Sequence, residues 1–119
     1  MRKGFKDVYR DIMDEAPAIT VINRYEFLRG MLTPLISEEA RERGVSFLSN
    51  FKVYELTSDT AIYCADIYSK LRAKGRLINE MGVLIAGICA ENGVGIITND
   101  SDFIEIGQIT SVNVRIIDS

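Results

Sequence analysis

Residues 78–103, "INEMGVLIAGICAENGVGIITNDSDF", join a long apolar segment to a short β-branched segment that ends in aspartates. The first part, 78–93, is apolar on most faces and closes with Asn-Gly, which predicts a buried helix. The next part, 94–98, predicts a short buried strand, followed by a turn that carries Asp100 and Asp102. This stretch therefore predicts a strand that delivers two carboxylates to its own carboxyl end.

The rest of the chain also alternates between helical and strand periodicity. Strands are predicted at 18–22, 52–56 and 112–117, and helices at 5–13, at 24–32 after an Asn23 N-cap, at 37–50 from Ser37, and at 60–75 after a Ser58 or Asp59 cap. Strands that alternate with helices favour a three-layer α/β/α sandwich with a mostly parallel central sheet. With 119 residues, the chain is expected to form a single domain over 1–119.

Composition limits the chemistry. Apolar residues make up 47% and charged residues 26%, mean hydropathy is +0.08, and no apolar run reaches the length of a membrane span or forms a secretory signal. We therefore expect a cytoplasmic protein without a membrane partner. The chain has no His, which excludes Ser–His and Cys–His nucleophile pairs, and its two Cys lack metal-ligand spacing. Carboxylates remain, and they favour a hard cation, Mg²⁺ or Mn²⁺.

Four carboxylates are candidates for such a site. Ligands bind beyond the carboxyl ends of strands in open α/β sheets. Glu26 is expected in the first turn of the helix after 18–22, Asp100 and Asp102 follow the strand 94–98, and Glu80 lies near the start of the helix 78–93. Each also has a structural explanation: Glu26 complements a helix dipole, the aspartates form a turn, and Glu80 completes a capping box. Their joint placement at one edge favours a metal site.

Two segments carry a resemblance to a known family. "AITVINRYEFLRGM" (18–31) resembles the second-strand signature of PIN domains, the fold of VapC-type toxins, and 64–103 resembles the PIN core with its T-x-D-x-D-F motif. The resemblance covers roughly residues 16–117. It implies a metal-dependent nuclease that cleaves RNA, with Mg²⁺ or Mn²⁺ held by Glu26, Asp100 and Asp102. Thr98 and Asn99 would contact the substrate, and the cation would activate a water molecule.

The sequence departs from the family pattern at two points. PIN domains usually open with a strand ending in Asp-Thr or Asp-Ser, and no such strand precedes "RKGFKDVYRD", so the first strand and its Asp are expected to be missing. The acid expected before "VLIAG" is Gly82. Glu80 lies two residues earlier, which places its side chain about 200° around the helix. These departures predict the loss of two acidic ligands.

Three functions stay open on this basis: a VapC-like ribonuclease toxin, a catalytically inactive PIN scaffold that binds RNA or a protein partner such as an antitoxin, and a flavodoxin-like or receiver-like domain that binds Mg²⁺. Toxin-type PIN domains are commonly dimers. A homodimer interface is predicted from apolar residues of the helices at 24–32 and 37–50, for which plain core packing is the alternative: Phe27, Leu28, Met31, Leu32, Phe47 and Leu48.

Overall fold

The structure, a computed structural model, describes residue 10 and residues 17–77 and 79–117. In chain order the elements are β1 (Ala18–Thr20), α1 (Val21–Met31), α2 (Glu38–Leu48), β2 (Lys52–Tyr54), α3 (Thr60–Ala73), α4 (Glu80–Asn92), β3 (Ile96–Thr98), α5 (Asp102–Ile109) and β4 (Val114–Ile116). The mixed α/β class is therefore confirmed. The helix predicted at 5–13 lies outside the described residues except at Arg10.

The strands pair in parallel, as predicted. β1 pairs with β2 in the register Ala18 to Lys52, and β3 pairs with β4 in the register Ile96 to Val114. Within the described residues these are two separate two-stranded sheets, because no hydrogen-bonded ladder joins β1 to β3. Two-stranded units are marginal alone, so helix packing must hold the two pairs in place.

The strand predicted at 18–22 is shorter than expected, and the predicted N-cap Asn23 is wrong. The chain turns helical at Val21, because Thr20 is the N-cap of α1 and forms a capping box with Asn23. Asn23 N donates to Thr20 Oγ1 at 3.2 Å, and Asn23 Oδ1 accepts from Thr20 N at 3.1 Å. Asn23 therefore closes the cap from the third helical position.

The segment between β3 and β4, predicted as a turn, contains the helix α5. Asp100 Oδ1 accepts from Asp102 N at 2.9 Å and so satisfies an amide at the start of that helix. Phe103 and Ile106, one helical turn apart, are 6% and 4% exposed. Their burial stabilises a helix in a segment whose alternation of apolar and polar residues is more typical of a strand.

The helix α4 forms the centre of the core, as its apolar sequence predicted. It begins after Asn79, whose Oδ1 accepts from Gly82 N at 3.2 Å, and ends at Gly93, which has a φ of 65°. Ala86 and Ile88 are 0% exposed. This buried helix contacts α3, α1, β1 and α5, and therefore links the two strand pairs.

The helix α3 begins at the predicted place but is capped differently. Asp59 is the N-cap residue, yet its side chain makes no capping hydrogen bond. Thr57 and Thr60 bond to each other's backbone amides instead, and both hydroxyls donate to the carboxylate of Glu91 on α4. A neighbouring helix thus supplies the carboxylate at this helix start.

The residues predicted to form a dimer interface pack largely within the chain. The rings of Phe27 on α1 and Phe47 on α2 lie 6.3 Å apart, and Leu48 is only 3% exposed. Leu32, just after α1, is 58% exposed. The plain-core alternative thus describes Leu48 and the Phe27–Phe47 pair, and Leu32 stays available on the surface.

None of the helices within the described residues has the length and apolar content that crossing a bilayer requires. Both cysteines are buried and free, in α3 and α4 as predicted. Burial raises the pKa of Cys89 to about 11, and burial, with the charge of Glu91 second, raises the pKa of Cys64. Neither thiol is therefore a reactive thiolate at neutral pH.

Candidate functional site

A cavity of about 710 Å³ lies between the two strand pairs. All three residues of β1 line it, and so do all three residues of β3. Most of its other walls are apolar side chains from α4 and the adjoining loops, such as Ile85, Cys89 and Val94. The cavity is thus a largely apolar groove with β1 on one side and β3 on the other.

Two of the four predicted metal ligands line this groove. Glu26, on α1, and Asp100, two residues after β3, are its only charged lining residues among those described. Both are partly buried. Because α1 begins at Val21, Glu26 lies in the second helical turn rather than the predicted first, and its explanation as a dipole partner of the first turn is weakened.

Asp100 has a structural role as well as its place at the groove. Its amide donates to Thr98 Oγ1 at 3.1 Å, and its Oδ1 accepts from the Asp102 amide at 2.9 Å. The turn explanation for Asp100 therefore describes one carboxylate oxygen, and its Oδ2 accepts no hydrogen bond from the described residues. The predicted substrate contact Thr98 lines the groove, whereas Asn99 is exposed and lies outside its lining.

The other two predicted ligands lie elsewhere. Asp102 and Glu80 are both exposed and lie outside the groove lining, each as the first residue of a helix. The capping-box explanation of Glu80 at the second or third helical position is wrong, because Asn79 provides the cap. Gly82, at the position where the family pattern has an acid, is buried in the groove wall.

Sequence reasoning did not identify the polar residues Thr20, Asn23 and Asn79 of the groove lining. A Thr followed three residues later by Asn, directly after a β-branched run, is a capping-box signal that could have placed the first two. Asn23 Oδ1 also accepts from Thr20 Oγ1 at 2.8 Å, which leaves the Asn23 Nδ2 group as the donor not used by the cap.

The donor chemistry of the groove fits a hard divalent cation. Mg²⁺ is usually held by one or two carboxylates, keeps several waters and accepts phosphate oxygens. Glu26 and Asp100 supply two carboxylates at the groove. Across the described part of the chain, no three His, Cys, Asp or Glu side chains form a group that could hold a metal ion. A cation there would therefore depend on these two residues and on water.

Three basic side chains of the described residues form ion pairs with carboxylates. Lys70 Nζ lies 2.9 Å from Asp66 Oδ2, and Arg76 Nε lies 3.3 Å from Glu105 Oε1. Arg43 pairs with Glu39 in the same way on α2. The Arg43 and Lys70 pairs each join residues four apart on one helix, as expected of solvated helix faces, whereas the Arg76 pair joins the segment after α3 to α5.

The described residues thus define a mixed α/β protein with short parallel strands and a groove that carries two carboxylates. The PIN domain model matches residues 2–109, and the chain therefore belongs to the PIN domain family. This result decides against the flavodoxin-like or receiver-like alternative.

Solved structures support the same fold. The chain is similar to VapBC2 from Rickettsia felis bound to a DNA fragment from their promoter, with a TM-score of 0.79, 19% identity and coverage of 95% of this chain and 84% of that chain. It is also similar to VapBC-5 from Mycobacterium tuberculosis, with a TM-score of 0.73, 22% identity and coverage of 85% and 82%. The DNA-bound VapBC from Salmonella typhimurium has the same score and identity, with coverage of 91% and 82%. A search of curated proteins found no match.

Proposed function

We propose that the chain is a VapC-like PIN protein that acts as a metal-dependent endoribonuclease, the toxin of a toxin–antitoxin pair. The observation that carries this proposal is that Glu26 and Asp100 are the charged residues, among those described, that line one groove of a PIN domain. Mg²⁺ or Mn²⁺ would supply a Lewis acid that generates the attacking hydroxide and neutralises charge on the phosphate.

The chain's own residues would bind the cation and the RNA and would orient the Asp100 carboxylate. Glu26 and the free oxygen of Asp100 would hold the cation, and the hydrogen bond from the Asp102 amide would fix the orientation of the Asp100 carboxylate. The hydroxyl of Thr98 and the amide of Asn99 would contact RNA at the rim. Glu80 and Asp102 would contribute at most through longer-range attraction, because both are exposed outside the groove.

The test is cleavage of a structured RNA in the presence of Mn²⁺. Glu26→Gln and Asp100→Asn preserve side-chain shape, and Asn at position 100 retains an oxygen for the Asp102 amide, so both variants should fold. Each should lower the cleavage rate by more than about 100-fold, since even outer-shell partners cost roughly 10–100-fold. Glu39→Gln, at an exposed ion pair of α2, is the matched control and should cleave normally.

The same panel includes Glu80→Gln and Asp102→Asn. Near-normal cleavage by these two variants would restrict the site to Glu26 and Asp100. A fall in cleavage rate as large as that of Glu26→Gln would instead support a site formed by all four acidic residues. Mn²⁺ affinity by calorimetry gives a readout that does not require turnover.

A second candidate function is a catalytically inactive PIN scaffold that binds RNA or a protein partner. The specific observation in its favour is that the described residues include no group of three potential metal ligands. Undetectable cleavage by a folded protein that still binds RNA, with no effect of Glu26→Gln, would support the scaffold against the enzyme.

We also propose an antitoxin protein as partner and a homodimer as the assembly. Support for the antitoxin comes from the similarity to VapBC proteins. Leu32 and Leu35, after α1, are 58% and 95% exposed and offer an apolar surface for either contact. Light scattering of the purified chain tests the dimer, and Leu35→Asp tests whether this surface contributes.

A further inference from the structure

The end of α3 and the segment after it carry a basic patch. Four of the chain's 14 Lys and Arg residues lie within residues 70–76, and no Asp or Glu interrupts them. All four are exposed: Lys70, Arg72, Lys74 and Arg76. Lys70 and Arg72 lie in the last turn of α3, where cations complement the helix dipole, but Lys74 and Arg76 follow the helix. The helix dipole therefore explains only half of the basic patch.

Backbone hydrogen bonds fix the turn that carries this patch. Gly75 has a φ of 67°, and its N–H donates to Arg72 O at 2.9 Å. Arg76 N donates to Leu71 O at 3.1 Å, which completes a Schellman motif at the end of α3. Leu71 is 5% exposed, so the turn is anchored to the core. The backbone of Lys74 and Arg76 therefore has a defined position on the surface.

The basic patch lies next to the candidate site. Arg76 Nε lies 3.3 Å from Glu105 Oε1, on α5. The same helix begins at Asp102, whose amide donates to Asp100. Asn79, three residues after Arg76, lines the groove. The patch is a surface feature, so its position does not depend on which residues fill the space between β1 and β3.

The half of the chain that provides Asp100 is otherwise acidic. Residues 79–117 contain five acidic residues and a single basic one, Arg115. The whole chain has a formal net charge of −3. A polyanion is repelled by such a surface, whereas a cluster of Lys and Arg attracts its phosphates. The basic patch is therefore the part of this region that a polyanion can approach favourably.

We propose that the basic patch binds the phosphate backbone of a single-stranded RNA and guides the strand to Glu26 and Asp100. Arg guanidinium groups bind phosphate through paired hydrogen bonds, and Lys binds it as a point charge. Contacts of this kind position a strand without reading its sequence. This role rests on the proposed nuclease function, whereas binding to the patch can be measured without cleavage.

Glu105 competes with phosphate for Arg76. Of the two side chains, 60% of Arg76 and 22% of Glu105 are exposed, and exposed ion pairs contribute little to stability. Arg76 can therefore exchange the carboxylate for a phosphate at low cost. Removal of the carboxylate should strengthen RNA binding, which a purely structural role of the pair does not predict.

The probe is a fluorescein-labelled, unstructured oligouridylate, and fluorescence anisotropy in EDTA measures its binding without cation-dependent cleavage. For single strands, the logarithm of the binding constant falls with the logarithm of the salt concentration by about 0.7 per neutralised phosphate. Arg72→Gln and Lys74→Gln should each lower this slope by about 0.7, and Lys74→Arg should retain it. The matched control is Arg43→Gln, which removes one cation from an exposed ion pair of α2 and should leave the slope unchanged.

Glu105→Gln is the opposite change. It frees Arg76 and should tighten RNA binding by roughly two- to fivefold, the equivalent of an exposed ion pair. The matched control is Glu39→Gln, which removes the same charge from the ion pair of α2 and should leave RNA binding unchanged. Circular dichroism checks that each variant folds.

Three results would overturn the proposal. The first is an unchanged slope in both Arg72→Gln and Lys74→Gln, or an equal fall in Arg43→Gln. The second is unchanged or weaker RNA binding by Glu105→Gln. The third is binding of oligoglutamate as tight as that of the oligouridylate, which would assign the patch to an acidic protein segment. Lowered slopes in a protein that does not cleave RNA with Mn²⁺ would support the patch and reject the nuclease function alone.

Discussion

The close packing of α3 on α4 makes Gly87→Ala the sharpest stability test. A Cβ at position 87 would lie 3.2 Å from the Cys64 backbone N and 3.3 Å from its Cα, and it would overlap the Cys64 Sγ. Two of these neighbours are backbone atoms, so α3 must move away from α4. Overpacking of this kind costs about 1–3 kcal/mol beyond what the surrounding side chains absorb.

The matched control is Gly30→Ala. A Cβ at Gly30, near the end of α1, would have no neighbour within 4 Å. Alanine is favoured over glycine in a helix interior by about 1 kcal/mol, less in the last turn, so this variant should be neutral or slightly more stable. Alanine gains this helix preference at both positions, so the two variants should differ by roughly the overpacking cost, about 1–3 kcal/mol in the free energy of unfolding.

Urea unfolding monitored by circular dichroism measures that difference. Adding Cys64→Ala to Gly87→Ala removes the sulfur but leaves the backbone contacts, so it should restore part of the lost stability and not all of it. If Gly87→Ala were as stable as Gly30→Ala, α3 and α4 would not approach as closely as described. Complete restoration by the double variant would assign the clash to the sulfur alone.

Two further predictions concern Glu91 and Cys89, both on α4. Glu91→Gln should lower the free energy of unfolding by about 1–3 kcal/mol in urea titrations, because it weakens the acceptor of the Thr57 and Thr60 hydroxyls. The exposed Glu55→Gln should have little effect, and equal losses would refute the Glu91 role. The pKa of Cys89 is raised by burial from 9.0 to about 11, so between these pH values the unfolded chain releases a proton that the folded chain retains. Stability should therefore fall as pH rises from about 9 to 11, less steeply in Cys89→Ala; identical pH profiles would contradict this cause.

Sequence periodicity predicted the elements that bury a clear apolar face. The helix α4 and the parallel strand pairs follow from long apolar runs and β-branched segments, which leave few alternatives. The helix α5 was missed because "DFIEIGQI" alternates like a strand. Its helical state depends on the hydrogen bond from the Asp102 amide to Asp100 Oδ1 and on the packing of Phe103 in the core, and the alternating pattern predicts neither contact.

The candidate site was predicted in part for a similar reason. Glu26 and Asp100 follow strands that border the same groove, so a rule about strand ends was enough to predict that both lie near it. Glu80 and Asp102 also stand next to strands or helix starts, but the direction of a side chain at a helix start depends on where the helix begins. Asn79 caps α4, and Asp100 Oδ1 accepts from the Asp102 amide at the start of α5; Glu80 and Asp102 are the first residues of these helices and lie outside the lining.

The two carboxylates of the groove belong to different halves of the fold. Glu26 lies on α1, which directly follows β1, whereas Asp100 is held next to β3 by the hydrogen bond from its amide to Thr98 Oγ1. Among the described residues no backbone ladder crosses between these halves, and α4 links them through side-chain packing alone. The separation of Glu26 and Asp100, and with it any affinity for a cation, therefore depends on how α4 packs against both halves.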